Sequence, residues 1–509
     1  MSDKDPAGGK RILLTCANAR YTHSSLALPY LRNAILSAGR GHDVGMLEFQ
    51  INQPRLQILQ DIVLARPEVM GISVSIWSAL LVRSLMADIR ALLPDCLIIL
   101  GGPEVSWSAA DWLAEYPAID VLVAGAGEGA IAWLAALDFD LDRARRERPV
   151  AFGLEGRVLR VPAPHFSRQA FPYRDEDFAA LAGRYLYYES SRGCPFACAY
   201  CLSSREDQGM EMKDTAVVLD ELARINRHRP MLVKFVDRTF NADPARARDI
   251  WRFLAEEDRQ RRSGGRLPAR ELTRYHFEVH PALLEEDDFS LLGAVRPGLF
   301  QFEVGVQSVN AKALAAIRRP VDWVTARAAV QRLIALGTVH VHLDLIAGLP
   351  GEGMAEIGRS FDAILDLGPD HFQVGFLKAF PGTNLRDQAA ADGLVHQSQA
   401  PYEILENRWL SVVDLAELRR VEDLLEATWN AGIGRDRLKQ GRDRFGGWFA
   451  AFRALAAFAL RTGHEFRIRQ PARVEALLDD WLTAAETGRT VVHGRMEGQQ
   501  ALTKEDHGT

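Results

Sequence analysis

Short apolar segments, several ending in glycine or serine, alternate with helical patterns along most of this chain, and that alternation restricts the fold more than any other feature. Residues 11–16, 44–49, 69–75, 96–100 and 120–124 read as strands. A helical pattern through Leu26, Tyr30, Leu31 and Ile35 stops near Gly39, and another runs from about residue 79 to 93. Strands this apolar need cover on both faces, so the spacing predicts an α/β fold opening with an N-terminal doubly wound parallel sheet. A second series follows, with strands near 185–190, 232–236, 275–279, 300–305, 340–346 and 372–376. Asp214 and the pair Asp243-Pro244 supply helix starts between them. About six such units predict a full or partial parallel barrel. From residue 401 the strand signals fade into charge-laced helical patterns. The expected layout is a sheet domain over 10–140, a proline-rich linker over 141–180, a barrel over 181–400, helices over 401–496, and a disordered leader (1–10) and tail (497–509).

In doubly wound sheets a ligand sits beyond the carboxyl ends of the strands. Three of these ends carry Ser73 and Ser75, Gly101 and Gly102, and Gly125 and Gly127 with Glu128. Glycine lets backbone approach a bulky group, and serine offers a hydroxyl. The dinucleotide fingerprint Gly-x-Gly-x-x-Gly does not follow the first strand, which disfavours a dinucleotide.

Five cysteines in 509 residues are too few for a disulfide framework, yet three of them form Cys194-x₃-Cys198-x₂-Cys201. Thiolates select zinc or iron–sulfur clusters. Structural zinc takes four protein ligands, and the nearest later candidate, His228, lies across an expected helix. Three cysteines with a vacant fourth position suit a four-iron cube with one iron open. Cys16 and Cys96 read as small apolar residues of strands. His340 and His342 share one face of an expected strand and read as part of a packed barrel.

This spacing, with Tyr200 before the last cysteine, resembles the radical S-adenosylmethionine (SAM) superfamily. Further segments in order are similar to that family. They are Lys234-Phe-Val-Asp237-Arg-Thr-Phe-Asn, Phe302-Glu303-Val-Gly-Val-Gln307-Ser308, Asp344-Leu-Ile346-Ala-Gly348-Leu-Pro-Gly-Glu352 and Phe380-Pro-Gly-Thr383. The resemblance implies a partial (β/α)6 radical SAM barrel with a [4Fe-4S] cluster on Cys194, Cys198 and Cys201. It also implies S-adenosyl-L-methionine near Tyr200, Asp237, Glu303, Gln307, Ser308, Ile346 and Gly348. The N-terminal sheet resembles the cobalamin-binding domain that precedes many such barrels, at Gly71-Ile-Ser-Val-Ser-Ile-Trp77, Gly101-Gly102 and Gly125-Ala-Gly-Glu128. The Asp-x-His-x-x-Gly signature is missing, so cobalamin is expected without a histidine ligand, its lower face covered by residues 75–78 with Trp77 foremost. A packed core aromatic is the competing reading of Trp77.

The two cofactors together imply methylation of an unactivated carbon through a 5′-deoxyadenosyl radical and methylcobalamin. A cobalamin-dependent rearrangement or cyclisation, and RNA modification, are the alternatives. A small-molecule substrate and a reductant such as flavodoxin or ferredoxin are the expected partners. A net charge of −6 gives no drive toward nucleic acid or an anionic membrane. The longest charge-free run, residues 69–82, is shorter than the ~18 apolar residues of a membrane span, and the first residues lack a signal-peptide core. A cytoplasmic enzyme is expected.

Overall fold

The computed structural model describes residues 9–153, 156–162, 164–204, 209–263, 272–319 and 321–487. The expected tail, and all but the last two residues of the expected leader, lie outside them. The chain forms two compact units. The first runs to Ser360 and resumes over Leu367–Leu415; the second combines Phe361–Asp366 with the chain from Ala416.

The first unit opens with five parallel strands: β1 (Arg11–Asn18), β2 (Asp43–Gln50), β3 (Val69–Ser73), β4 (Leu97–Gly101) and β5 (Val121–Val123). Their spatial order is β2-β1-β3-β4-β5, so chain direction across the sheet reverses between β1 and β3, where such sheets bind ligands. Successive residues point to opposite faces, and each face has its own core. Leu13, Ile72, Ile98 and Leu100 pack with Val82, Met86 and Trp112; Leu14, Ile99 and Val123 pack with Leu28, Ile35 and Leu134 on the other side. This is the doubly wound sheet. The segment expected to be a linker adds two short strands, β6 (Phe152–Gly153) and β7 (Val158–Leu159), with β7 parallel to β5 and β6 antiparallel at the edge.

A second sheet holds β8 (Leu186–Tyr188) and, after the antiparallel pair β9 (Ser191–Gly193) and β10 (Met210–Met212), β11 (Leu232–Phe235), β12 (Arg274–Glu278), β13 (Phe300–Gln307), β14 (His340–Ala347) and β15 (His371–Phe376). All six are parallel and lie in chain order, with β8 and β15 as the outer strands, which is the open arc of a (β/α)6 barrel. Along β13, Phe300, Phe302, Val304 and Val306 are buried while Gln301, Glu303, Gly305 and Gln307 are half-buried; β14 repeats the alternation with His342 and Asp344 on the polar face. The apolar face packs on helices: Trp251 of the Pro244–Ser263 helix lies 5.2 Å from Phe302, and Phe240 lies 4.3 Å from Phe277. The polar face is the concave interior.

The two halves of this unit are pinned together. Arg32 forks onto the Asp177 carboxylate at 2.6 and 2.7 Å, and Tyr187 shares a 2.6 Å hydrogen bond with His23 Nδ1. The second unit is helical. Phe361 packs on Phe449 and Phe452, and Asp362 accepts from Phe449 N at 2.6 Å, capping the Trp448–Thr462 helix. Before it, β16 (Val395–His396) and β17 (Ile404–Glu406) form a small antiparallel pair within the stretch expected to be a barrel end and helices. Among the described residues no helix is long and apolar enough to cross a membrane.

Candidate active site

Each sheet has a hollow at the carboxyl ends of its strands. The first, about 620 Å³ of empty space, is lined by Leu14, Leu31, Ile99 and Ile131 together with Ser73, Gly101, Gly102, Gly125, Gly127 and Glu128. Its floor is mostly backbone and aliphatic carbon. Gly102 has φ 106°, and a Cβ there would stand 2.5 Å from the Val74 carbonyl oxygen, so only glycine lets the chain turn from β4 into the Pro103–Trp107 helix. Ser106 Oγ donates to Gly102 O at 2.8 Å and accepts from Gly125 N at 3.1 Å, tying two glycine ends together. Above β3, Ser78 donates twice to Ser75 O and its Oγ accepts from Ser75 N, closing a tight turn. That turn presents Trp77 at 51% exposure, its Nε1 donating to Ala17 O at 3.0 Å.

The second hollow, about 840 Å³, is walled by Cys194, Cys198 and Cys201, by Phe196 and Tyr200, and by side chains from the barrel interior. The cysteine loop leaves β9 and is held from several sides. Ala199 N donates to Ile317 O and Leu385 N to Ala199 O, both at 2.9 Å. Arg319 Nη1 lies 3.7 Å from Cys198 Sγ while its Nη2 donates to Gly305 O at 2.6 Å. Burial pushes the Cys198 thiol up and Arg319 opposes that shift. Burial likewise raises the Tyr200 hydroxyl.

The same cavity is lined by Arg238, Glu278, His280, Glu303, Gln307 and Asp344. Gln307 has φ 66°, at a register slip between Gly305 and Gln307 against β14, and its Oε1 is buried without a partner. Such irregularities re-aim side chains. Burial drives the Glu278 carboxyl up to about 7 although Arg238 Nη1, 3.4 Å away, works against it. Glu303 is held low: burial would raise it, but the 3.0 Å bond to His276 and the nearby His342 and Lys234 outweigh burial. Asp344 is raised by burial and by the Glu303 charge, with His342 Nε2 3.1 Å away opposing. The interior therefore sets carboxyls shifted in opposite directions beside Arg238 and Arg319.

Sequence comparison gives these two hollows a family. Residues 12–135 match the B12 binding domain, and residues 188–364 match the Radical SAM superfamily. The chain joins a B12-binding domain to a radical SAM domain. Residues 392–483 match a family described as Protein of unknown function (DUF4080). Among curated relatives, 2-(S-pantetheinyl)-carbapenam-3-carboxylate methyltransferase of Streptantibioticus cattleyicolor is 24% identical over 354 residues, 64% of this chain and 50% of that protein. Cobalamin-dependent radical SAM methyltransferase TokK of Streptomyces tokunonensis is 24% identical over 326 residues, 60% of this chain and 46% of its own. The chain thus spans about half the length of these relatives. In fold it is similar to the radical S-adenosylmethionine methyltransferase TsrM from Kitasatospora setae with cobalamin and [4Fe-4S] cluster bound, at TM-score 0.62 and 18% identity over 79% of this chain and 82% of the other.

These two domain types imply cobalamin, a [4Fe-4S] cluster and SAM, and the residues present fit them. Among the described residues no three His, Cys, Asp or Glu side chains converge as a single metal ion requires. The three thiols instead stand around a cavity, as suits a cluster that takes one thiolate per iron. The buried, unpartnered Gln307 Oε1 and Arg319 Nε lie in the wall of that same cavity, where a polar ligand would satisfy them. In the B12-binding domain the cleft is apolar and glycine-walled, a lining that lets backbone approach a bulky apolar group. No histidine is among its described lining residues, and His23 Nδ1 is engaged by Tyr187.

Of the residues singled out in the sequence, Cys194, Cys198, Tyr200, Cys201, Glu303 and Gln307 share the cysteine cavity. Ser73, Gly101, Gly102, Gly125, Gly127 and Glu128 share the other cleft. Ser75 and Trp77 form the turn above β3 and do not line that cleft. Asp237 is fully buried beneath the cysteine loop, accepting from Ser190 N, Ser190 Oγ and Ser191 Oγ at 2.9, 2.5 and 2.7 Å. Ser308 is spent on Glu352, at 2.5 Å. Ile346 and Gly348 also lie outside the lining of the cavity. Sequence reasoning missed Arg238, Glu278, His280 and Arg319. A signal for Glu278 existed: in Arg274-Tyr-His-Phe-Glu278 polar residues alternate with buried aromatics, as on a strand with one polar face.

Proposed function

We propose that this chain is a cobalamin-dependent radical SAM enzyme that methylates an unactivated carbon of a small-molecule substrate. One observation carries the reading: a single compact unit holds a cysteine-walled cavity and a glycine-walled apolar cleft, each at the carboxyl edge of its own parallel sheet. When bound, the cluster and SAM supply a carbon-centred radical that removes hydrogen from the substrate, and cobalamin supplies the methyl group.

The chain's own residues bind and orient. Cys194, Cys198 and Cys201 are the cluster ligands, with Arg319 beside Cys198 favouring its thiolate. Glu278, Glu303 and Asp344 offer acceptors for amino and hydroxyl groups of SAM, Gln307 an amide, and Arg238 a cation for a carboxylate. Tyr200 closes the wall, and Ile346 and Gly348 shape the end of β14. Asp237 and Ser308 act from behind, holding the loops that carry the ligands. Ser73, Gly101, Gly102, Gly125, Gly127 and Glu128 would wall the cobalamin cleft, and the Ser75–Trp77 turn above β3 would offer its exposed indole as a further contact for the cobalamin.

The reaction needs electrons from a small carrier protein of the ferredoxin or flavodoxin type, and an open cluster suits the reducing cytoplasm. Net acidity disfavours a nucleic-acid substrate. Anaerobic turnover of the reconstituted chain with reductant and candidate substrates is expected to yield 5′-deoxyadenosine and a methylated product together. Deoxyadenosine with an altered but unmethylated product would overturn the methyl-transfer reading in favour of rearrangement.

A further inference from the structure

Arg192 touches the surroundings of both cavities. It sits on β9, two residues before Cys194, and its guanidinium forks onto Glu189, with Nε to Oε1 at 3.0 Å and Nη2 to Oε2 at 2.9 Å. The same Nη2 donates to Glu128 Oε1 at 2.9 Å. Glu128 is 8% exposed and lines the cleft of the B12-binding domain. The guanidinium also lies 4.8 Å from the Phe166 ring centroid and 5.9 Å from that of Tyr30. A planar fork held by two carboxylates and flanked by two aromatic rings has little freedom, and lysine would not reproduce it.

The consequence is mechanical. The Glu128 wall of one cleft is bonded to the strand that launches the cysteine loop of the other. A second tie runs through the segment after β15. Leu385 N donates to Ala199 O inside the cysteine loop, while Gly382, three residues earlier, packs against Trp107 of the helix that follows Gly102. The cysteine loop is thus linked to the cobalamin cleft from both sides.

We infer that Arg192 is a positioning residue that couples the two cofactor sites, so that filling the cysteine cavity with its cluster tightens cobalamin binding. Thermodynamic linkage makes the effect reciprocal. The inference rests on the cofactor pair of the proposed function.

Its test measures binding, not turnover. Cobalamin is titrated optically, under anaerobic conditions, into the full chain with and without reconstituted cluster, for the wild type, Arg192→Gln, Arg192→Lys and Glu128→Ala. Cluster loading should tighten cobalamin binding about tenfold in the wild type. That ratio should fall to about one in Arg192→Gln and Glu128→Ala, with the lysine variant restoring little of it. A merely structural role would weaken both states by the same factor and leave the ratio intact. A ratio of one in the wild type, or an unchanged ratio in the variants, overturns the inference. Failure of the wild type to bind cobalamin in either state overturns the proposed function instead. Should Arg192→Gln fail to fold, Glu128→Ala, which leaves the Arg192–Glu189 fork in place, carries the same expectation.

Discussion

A Cβ on Gly382 would stand 2.5 Å from the indole ring of Trp107, at a backbone φ of 83°. The loop after β15 therefore lays bare backbone on the Trp107 indole of the helix after β4. Gly382→Ala should cost about 2 kcal/mol, from left-handed backbone strain and the clash together. Urea unfolding midpoints check this. Trp107→Ala in the same chain should recover part of the loss, because the two changes share one contact.

Asp237 makes its prediction through the cysteine loop. Its buried carboxylate accepts three hydrogen bonds from Ser190 and Ser191, and Arg246, whose Nη2 donates to Ser190 O at 3.0 Å, supplies a nearby positive charge. Asp237→Ala leaves those three donors without their acceptor and the buried Arg246 guanidinium without a nearby negative charge, and should cost about 3 kcal/mol. Iron incorporated per chain on anaerobic reconstitution should fall with it. Asp237→Asn, which keeps the shape, should lose less of both.

Trp77 separates two readings by size of effect. A core tryptophan cut to alanine costs about 3–5 kcal/mol. At 51% exposure with one hydrogen bond to Ala17, Trp77→Ala should shift the unfolding midpoint by less than about 1 kcal/mol. It should nevertheless change the optical spectrum or affinity of bound cobalamin.

How far the residues announced this arrangement depended on how local each signal was. Leu13 and Leu14, or Ile98 and Ile99, face opposite cores, and a strand apolar on both faces can only be a covered one. That made the doubly wound sheet legible. The cysteine spacing was legible because all three ligands lie on one short loop. Glu278 and Arg319 were not, because each comes from a different element and only the curvature of the second sheet brings them to the cysteines. His342 read as part of a packed strand; it faces the polar interior beside Asp344 and Glu303. The strands β6 and β7 were hidden because two residues apiece leave no periodicity to detect.

Glu352 gives a pH dependence. It is fully buried, with Oε1 bonded to Ser308 and Oε2 without a partner, and burial pushes its carboxyl up to about 7 against the Ser308 bond. Between about pH 4.5 and 7 the folded chain keeps a proton that the unfolded chain has released, so this group's contribution to stability is lost as pH rises through that window. Glu352→Gln removes the titration. Its unfolding midpoint should match the wild type near pH 5 and exceed it above pH 7, by up to about 3 kcal/mol.

The central claim is that one chain holds both cofactors, and binding tests it most directly. Anaerobic reconstitution of the full chain with iron, sulfide and hydroxocobalamin, followed by desalting, iron analysis and an optical spectrum, should give about four irons per chain together with one retained cobalamin. Replacing Cys194, Cys198 and Cys201 by alanine should abolish the iron and leave cobalamin bound, and Gly102→Ala should do the reverse. A chain that holds iron yet releases all its cobalamin, or keeps its iron without the three cysteines, would contradict the account.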